Sequence, residues 1–269
     1  MADLHLMAET VERVELESLH AACPPATREA MGLQSQEVGG AFVSIARHAP
    51  TIILNRCLGL GVTSPIRRES IEAIADIYRQ AGVERYFLQV ERDKVTPEVA
   101  AWLDAAGLQR HRAWMKFSRD MADPTPTPRS DLTVRQIGPE HGAVFGRIVA
   151  DAFDLGAVAV PQLAALTGTP GWHLFMSFDG DRPAGTGALY VKDGVGWFDC
   201  GATAPDFRRR GAQQAVLAAR VDAARALGCH TIATCTGEAV EGDPQHSYHN
   251  IQWAGFKEAY LRDNYVPRS

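Results

Sequence analysis

The clearest chemical signal in the chain lies in Phe207-Arg208-Arg209-Arg210-Gly211-Ala212-Gln213-Gln214, which leads from an expected strand into an expected long helix. The first amides of a helix lack internal acceptors and sit at the positive end of its dipole, so they bind phosphate oxygens. Gly211 lets a backbone come close to an anion, and three arginines add charge. Taken alone, such a run also reads as a solvated charge cluster ahead of an ordinary helix. The conjunction of strand, arginine, glycine and a helix face of small residues favours the anion site.

Candidate acid–base groups flank this turn. Asp199 lies on the strand that enters it and Glu238 follows the next strand, so each is placed either as a general base or ammonium clamp or as a surface carboxylate. His246 and His249 flank Ser247 without a third residue to orient a nucleophilic pair, and His173 and His230 are too scattered to ligate a metal. No metal is expected. Cys23, Cys57, Cys200, Cys229 and Cys235 are odd in number and lack a C-x-x-C pair, which argues against a disulfide framework and a zinc cluster. They read as small buried side chains. Trp172, Trp197 and Trp253 read as core, with pocket lining as the alternative.

The elements that must position these residues occur twice. Gly61-Val62-Thr63-Ser64-Pro65 is echoed 140 residues later by Gly201-Ala202-Thr203-Ala204-Pro205, each closing an expected strand. Helix-period apolar residues follow: Ile71, Ile74, Ala75 and Tyr78 in one half, Ala215, Val216, Ala219, Ala223, Ala226 and Leu227 in the other. Gly82 and Gly228 stand where left-handed helix caps are expected. Their spacing has grown to 146 residues, so the second half is expected to have gained six residues around the arginine turn, where the first has Ile66-Arg67-Arg68-Glu69. Strands are expected at Arg85 to Val90 and His230 to Thr236, then helices ending at Gly107 and Gly255, then an aromatic-rich strand closing each half. Upstream in the second half, Arg135 to Asp154 reads as strand then helix, and Trp172 to Phe178 and Ala184 to Lys192 as strands separated by the turn Asp179-Gly180-Asp181. This order implies a mixed sheet with helices on both faces. The alternation of threonine with Pro124, Pro126 and Pro128 excludes helix or central strand, and 121–130 reads as a linker.

A net charge of -5 implies no nucleic-acid partner, no stretch is apolar enough for a membrane span, and the first residues do not resemble a signal peptide. The expected location is the cytoplasm.

The run Arg208-Arg209-Arg210-Gly211-Ala212-Gln213 resembles the GNAT acetyltransferase signature R/Q-x-x-G-x-G/A, departing from it at Gln213. Ser247-Tyr248-His249-Asn250-Ile251-Gln252-Trp253-Ala254-Gly255-Phe256 is similar to that family's last helix and strand start. The resemblance implies an α/β (α+β) fold of two GNAT-like domains, each a mixed, mostly antiparallel twisted sheet with splayed central strands flanked by helices. It divides the chain into 1–120, a degenerate domain without the phosphate loop, and 131–269, an acetyltransferase domain. It implies acetyl-CoA as co-substrate, with its diphosphate on Arg208, Arg209, Arg210, Gly211, Ala212, Gln213 and Gln214, its pantetheine arm on Cys200, Gly201, Ala202 and Thr203, and Asn250 as a further contact. The family's usual tyrosine acid is replaced by Ile251, which leaves Tyr248 as the nearest candidate beside Glu238 and Asp199. The implied activity is direct acetyl transfer to a primary amine of a small molecule or peptide. The alternatives are a non-catalytic acyl-CoA binding or regulatory module and an enzyme using another acyl-CoA. A homodimer is compatible with each.

Overall fold

The computed structural model describes residues 2–49 and 51–268. The first half runs α1 (Ala2–Ala21), α2 (Pro25–Met31), β1 (Leu33–Val38), β2 (Ala41–Ala46), β3 (Arg56–Leu58), α3 (Arg68–Gln80), β4 (Phe87–Glu91), α4 (Pro97–Ala105) and β5 (Leu108–Asp120). The second runs β6 (Thr133–Gln136), α5 (Pro139–Phe153), α6 (Val160–Ala165), β7 (Trp172–Asp179), β8 (Arg182–Lys192), β9 (Val195–Thr203), α7 (Ala212–Ala226), β10 (Thr231–Gly237), α8 (His246–Trp253) and β11 (Lys257–Pro267).

All strands join one sheet in the order β1-β2-β3-β4-β11-β5-β10-β9-β8-β7-β6. The sequence leads one to expect that each half is closed by its own last strand. Instead the two are exchanged: β11 pairs with β4 from Arg262↔Glu91 to Tyr265↔Leu88, and β5 pairs with β10 from Thr231↔Asp120 to Gly237↔Trp114. Two crossed strands in mutual register bury their faces in both halves.

Parallel pairing occurs once in each half, and both ladders are short. β9 and β10 pair only at Val195↔Thr231, Gly196↔Ile232 and Trp197↔Ala233, then diverge; β3 and β4 pair only at Arg56↔Phe87 and Cys57↔Leu88. The expected splayed central strands are present in the second half, where β9 and β10 both run on past their ladder; in the first half the ladder stops with β3 itself at Leu58. The glycine caps also hold: Gly82, Gly107, Gly228 and Gly255 all have positive φ, between +68° and +84°, where a side chain costs about 1–2 kcal/mol.

The six-residue gain of the second half is spread more widely than one loop. α7 starts eleven residues after Gly201 whereas α3 starts seven after Gly61, and α7 has 15 residues against 13. The extra chain continues β9 to Thr203 and forms a 3-10 turn at Pro205–Phe207.

Two packing devices place the site. On α1, Ala8, Glu9, Val11, Glu12, Glu15, Leu16 and Leu19 are all buried and recur at helical spacing, so this helix turns three carboxylates inward. On α5, Gly142 and Gly146 stand so close to α6 that added Cβ atoms would lie 3.0 Å from the Ala164 carbonyl oxygen and 2.7 Å from that of Val160. This contact brings Val149, Phe153 and Leu163 to one wall of a cleft.

Candidate active site

A cleft of about 320 Å³ opens where β9 and β10 part. One end is built by the second half: Asp199, Cys200 and Gly201 on β9, Thr234 to Gly237 on β10, Gln213 and Arg220 on α7, and Ser247, Asn250 and Ile251 on α8. The other end takes Glu15 from α1, Arg56 from β3 and Trp114 from β5, together with α5 and α6. The exchanged strand β5 and helix α1 thus bring the first half into the second half's site.

The bend in β9 has a cause. Asp199 and Ala202 face Ala188 and Thr186, so three steps on β9 match two on β8, and the extra residue is absorbed at Cys200 with φ of +53°. Such a bulge re-aims the backbone. It is fixed from both sides: the Asp199 carboxylate accepts the Cys200 N–H at 2.6 Å, and the Thr186 hydroxyl donates to the Cys200 carbonyl at 2.9 Å. From α7, Arg220 donates to the carbonyls of Asp199 (3.1 Å) and Ala188 (2.9 Å) and lies over the Phe198 ring. Gly187 makes room for it, since a Cβ there would approach the guanidinium to 2.7 Å. Burial lowers the Arg220 pKa to about 10, so the group stays charged at neutral pH beneath the bend. Burial also pushes the Cys200 thiol up, helped by Asp199, which removes it as a ready nucleophile.

The arginine turn divides its three guanidinium groups between two tasks. Arg210 donates to Asp179 at 2.8 Å and to Asp131, and its carbonyl accepts from Ser130 Oγ at 2.8 Å, tying the turn to the β7–β8 hairpin and the end of the linker. Arg208 and Arg209 are exposed and form no salt bridge among the described residues. No side chain caps α7, so the amides of its first turn, Ala212, Gln213 and Gln214, keep their orphan donors. Gly211 is needed for the linker as much as for any anion: its φ is +73° and a Cβ would fall 2.1 Å from the Arg129 carbonyl oxygen. Ala212 is buried against Leu132, Ala184 and Phe207. The Gln213 amide turns back to the strand, donating to the Ala202 carbonyl at 2.7 Å and to Thr203 Oγ1 at 3.1 Å, so it braces the corner and is not free for a phosphate.

Of the three acid–base candidates, only Asp199 lines the cleft. The Glu238 carboxylate accepts the Ala113 N–H at 2.8 Å and neighbours Arg92 and Arg110, so it fastens the end of β10 to β5. Tyr248 packs edge-on to Phe117 in the core, where burial, then Glu258, raises its pKa. Neither side chain reaches the cleft. Asn250 does, from α8.

Sequence reading missed Glu15, Arg56, Trp114 and Arg220. α1 carries glutamates on its buried face, which hides its amphipathic pattern, and the strand exchange that delivers Trp114 has no local signal. Glu12 sits at the centre of a buried network, bonded to Arg262 Nη1 and Nη2 at 2.5 and 2.9 Å, to Arg56 at 3.1 Å and to Lys116. Burial would raise its pKa, but Arg262 and Lys116 outweigh burial and hold it low.

Residues 151–251 match the model of the acetyltransferase (GNAT) family. A GCN5-related N-acetyltransferase from Kribbella flavida is similar over 94% of this chain and 96% of its own, with 14% identity and a TM-score of 0.62. A tandem GNAT protein from the clavulanic acid biosynthesis pathway is similar over 98% and 92%, with 16% identity and a TM-score of 0.61. Residues 151–251 are thus similar to the GNAT family, and the chain as a whole shares the fold of a tandem GNAT protein. A GCN5-related N-acetyltransferase from Sphaerobacter thermophilus shares the fold at 15% identity, over 84% of this chain and 76% of its own, TM-score 0.61. A search of the curated proteins finds no match. No helix among the described residues is long and apolar enough to cross a membrane. The uncapped α7 start and the unpaired Arg208 and Arg209 offer donors for an anionic group beside the second half's end of the cleft.

Proposed function

We propose that the chain is an N-acetyltransferase that moves an acetyl group from acetyl-CoA to a primary amine of a small molecule or peptide by direct attack in a ternary complex. The observation that carries this is the cleft between β9 and β10 lying beside an uncapped helix start with two unpaired arginines. Arg208, Arg209 and the first-turn amides of α7 would hold the diphosphate; the edge of β9 from Cys200 to Thr203 would hold the pantetheine arm, with Asn250 opposite. Acetyl-CoA supplies an activated thioester carbonyl. The amine nitrogen forms the new C–N bond as the C–S bond breaks, with one proton lost from nitrogen and one gained by the thiolate. Positioning does much of the work in such a reaction. Arg220 keeps the β9 bend in place, and Asp199 stands at the bend to accept or orient the amine's proton. The first half acts as a degenerate domain that shapes the acceptor end. The same reading places the protein in the cytoplasm, without a nucleic-acid or membrane partner, and is compatible with a homodimer.

A second reading, a non-catalytic acyl-CoA binding module, draws on the packed Tyr248 and on Ile251 in the usual tyrosine position. Thiol release from acetyl-CoA across a panel of amines separates the two. Release that depends on the amine supports the transferase; coenzyme binding by calorimetry with silence across the panel supports the binding module.

A further inference from the structure

α1 carries a row of three inward glutamates, and the row is answered unevenly. Glu9 accepts from Tyr260 Oη at 2.6 Å and pairs with Arg262 at 3.3 Å and Lys116 at 3.6 Å; Glu12 takes Arg262, Arg56 and Lys116. Glu15, one turn on, has no salt bridge among the described residues, is 1% exposed, and leaves Oε2 buried without a hydrogen-bond partner. It alone of the row lines the cleft. Asp199 lines it from β9, its carboxylate bonded to the Cys200 N–H.

We propose that Glu15 of the first half and Asp199 of the second form the ammonium site for the acceptor, and that the acceptor is a small primary amine on an apolar skeleton. The proposal rests on the acyl-transfer reading and specifies its substrate. An ammonium brings three N–H donors and one positive charge to a place holding an open carboxyl oxygen and a second carboxylate. The surrounding walls set the skeleton: Leu19, Ile53, Leu54, Val149, Phe153 and Leu163 are apolar, and none would pair with a polyamine's further charges or a sugar's hydroxyls. Arg56 Nε and Trp197 Nε1 are donors without acceptors in the same cleft, so one oxygen acceptor on the skeleton is tolerated or favoured.

The charged groups around Glu15 are Asp199 from β9, Arg56 from β3, Lys116 from β5 and Glu12 on its own helix, with Arg220 reaching the Asp199 carbonyl from α7. Burial first, and Asp199 second, push the Glu15 carboxyl well above the usual range, so the free site favours the neutral acid. An arriving ammonium favours the carboxylate. Binding therefore releases a proton, and the carboxylate then present takes one back from the amine before attack.

The test is calorimetry with the coenzyme A complex, titrating 2-phenylethylamine in buffers of different ionisation enthalpy across the mildly acidic to neutral range, beside amine kinetics. The expected result is proton release with wild type that disappears in Glu15→Gln, a KM for the amine raised about tenfold or more in Glu15→Gln and Asp199→Asn, worth about 1.4 kcal/mol, and unchanged coenzyme affinity in Glu15→Gln. Tyramine should match or exceed 2-phenylethylamine, and spermidine and glucosamine should be poor. Thermal melts keep the folding of each variant in view. If thiol is released but Glu15→Gln changes neither KM nor proton release, or if spermidine or glucosamine is preferred, the ammonium site is wrong while acyl transfer stands. If 2-phenylethylamine binds with proton release and no thiol appears, the site stands and the acyl-transfer reading fails.

Discussion

The two halves present the same corner, a strand leading into a helix beside a parallel neighbour, and fill it differently. In the second half β9 has nine residues and a bend at Cys200, the connecting turn ends in Gly211, and α7 starts with no acidic residue in its first turn. In the first half β3 has three residues, Gly61 is covered by Ile66, whose Cγ1 would lie 2.7 Å from a Cβ added at the glycine, and α3 starts with Glu69 in its first turn. Both helix starts lack a side-chain cap, so the dipole alone does not distinguish them. What differs is the company it keeps: α3 has Glu69 in its first turn and an Arg68 paired with Glu72 beside Arg67, whereas α7 has no acidic residue there and two unpaired guanidinium groups. The first half reaches the second half's cleft instead through α1, where Glu15 lines it.

The largest effect should come from cutting the first half's brace. Glu12→Ala leaves Arg262 and Lys116 with Glu9 alone and Arg56 with no ion-pair partner, and should cost about 3–5 kcal/mol of unfolding free energy by denaturant titration. Acid should act in the same direction. A carboxyl whose folded pKa is held low contributes stability above its unfolded value, about 4.3, and loses that contribution as pH falls below it; melts of wild type should drop there, and those of Glu12→Gln should drop less.

Charge reversal at the two corners comes next. Arg208→Glu with Arg209→Glu should weaken coenzyme A binding at least about tenfold, since charge-assisted bonds are worth about 1.5–3 kcal/mol each, while Arg67→Glu with Arg68→Glu should leave it unchanged by calorimetry. Arg208 is a better probe than Gly211, because any side chain at Gly211 strikes the linker carbonyl of Arg129 whatever the turn binds.

Glu15→Gln should raise the melting temperature near neutral pH. A carboxyl whose folded pKa is raised stabilises only below its unfolded pKa and loses that stability as pH rises, so the neutral amide relieves a cost that Glu12 does not impose. An unchanged or lowered melt would mean that Glu15 is already paired. The smallest contrast is between equivalent caps: Gly82→Ala and Gly228→Ala, both left-handed with open space around them, should each cost about 1 kcal/mol. Unequal costs would show that the repeat extends to topology and not to energetics.

Much of this comparison is legible in the sequence. Paired glycine caps, hairpin turns and helix periodicity place most elements of both halves, since each depends on local φ and side-chain spacing. The arginine turn is legible for the same reason. The exchange of β5 and β11 is not, because the two strands have similar aromatic-rich patterns and nothing local specifies which neighbour each will pair with. Glu238 and Tyr248 sit at plausible sequence positions, yet their direction is decided by Ala113 on β5 and by Phe117. α1 escapes notice because Glu9, Glu12 and Glu15 occupy its buried face, and their partners lie up to 253 residues away.

Calorimetric titration of the intact chain with coenzyme A tests the contrast between the two corners most directly. One coenzyme per chain, lost with Arg208→Glu and Arg209→Glu and not recreated at the first corner by Glu69→Gly, is the expected result. Two coenzymes per chain, or affinity that survives the double reversal, would contradict it.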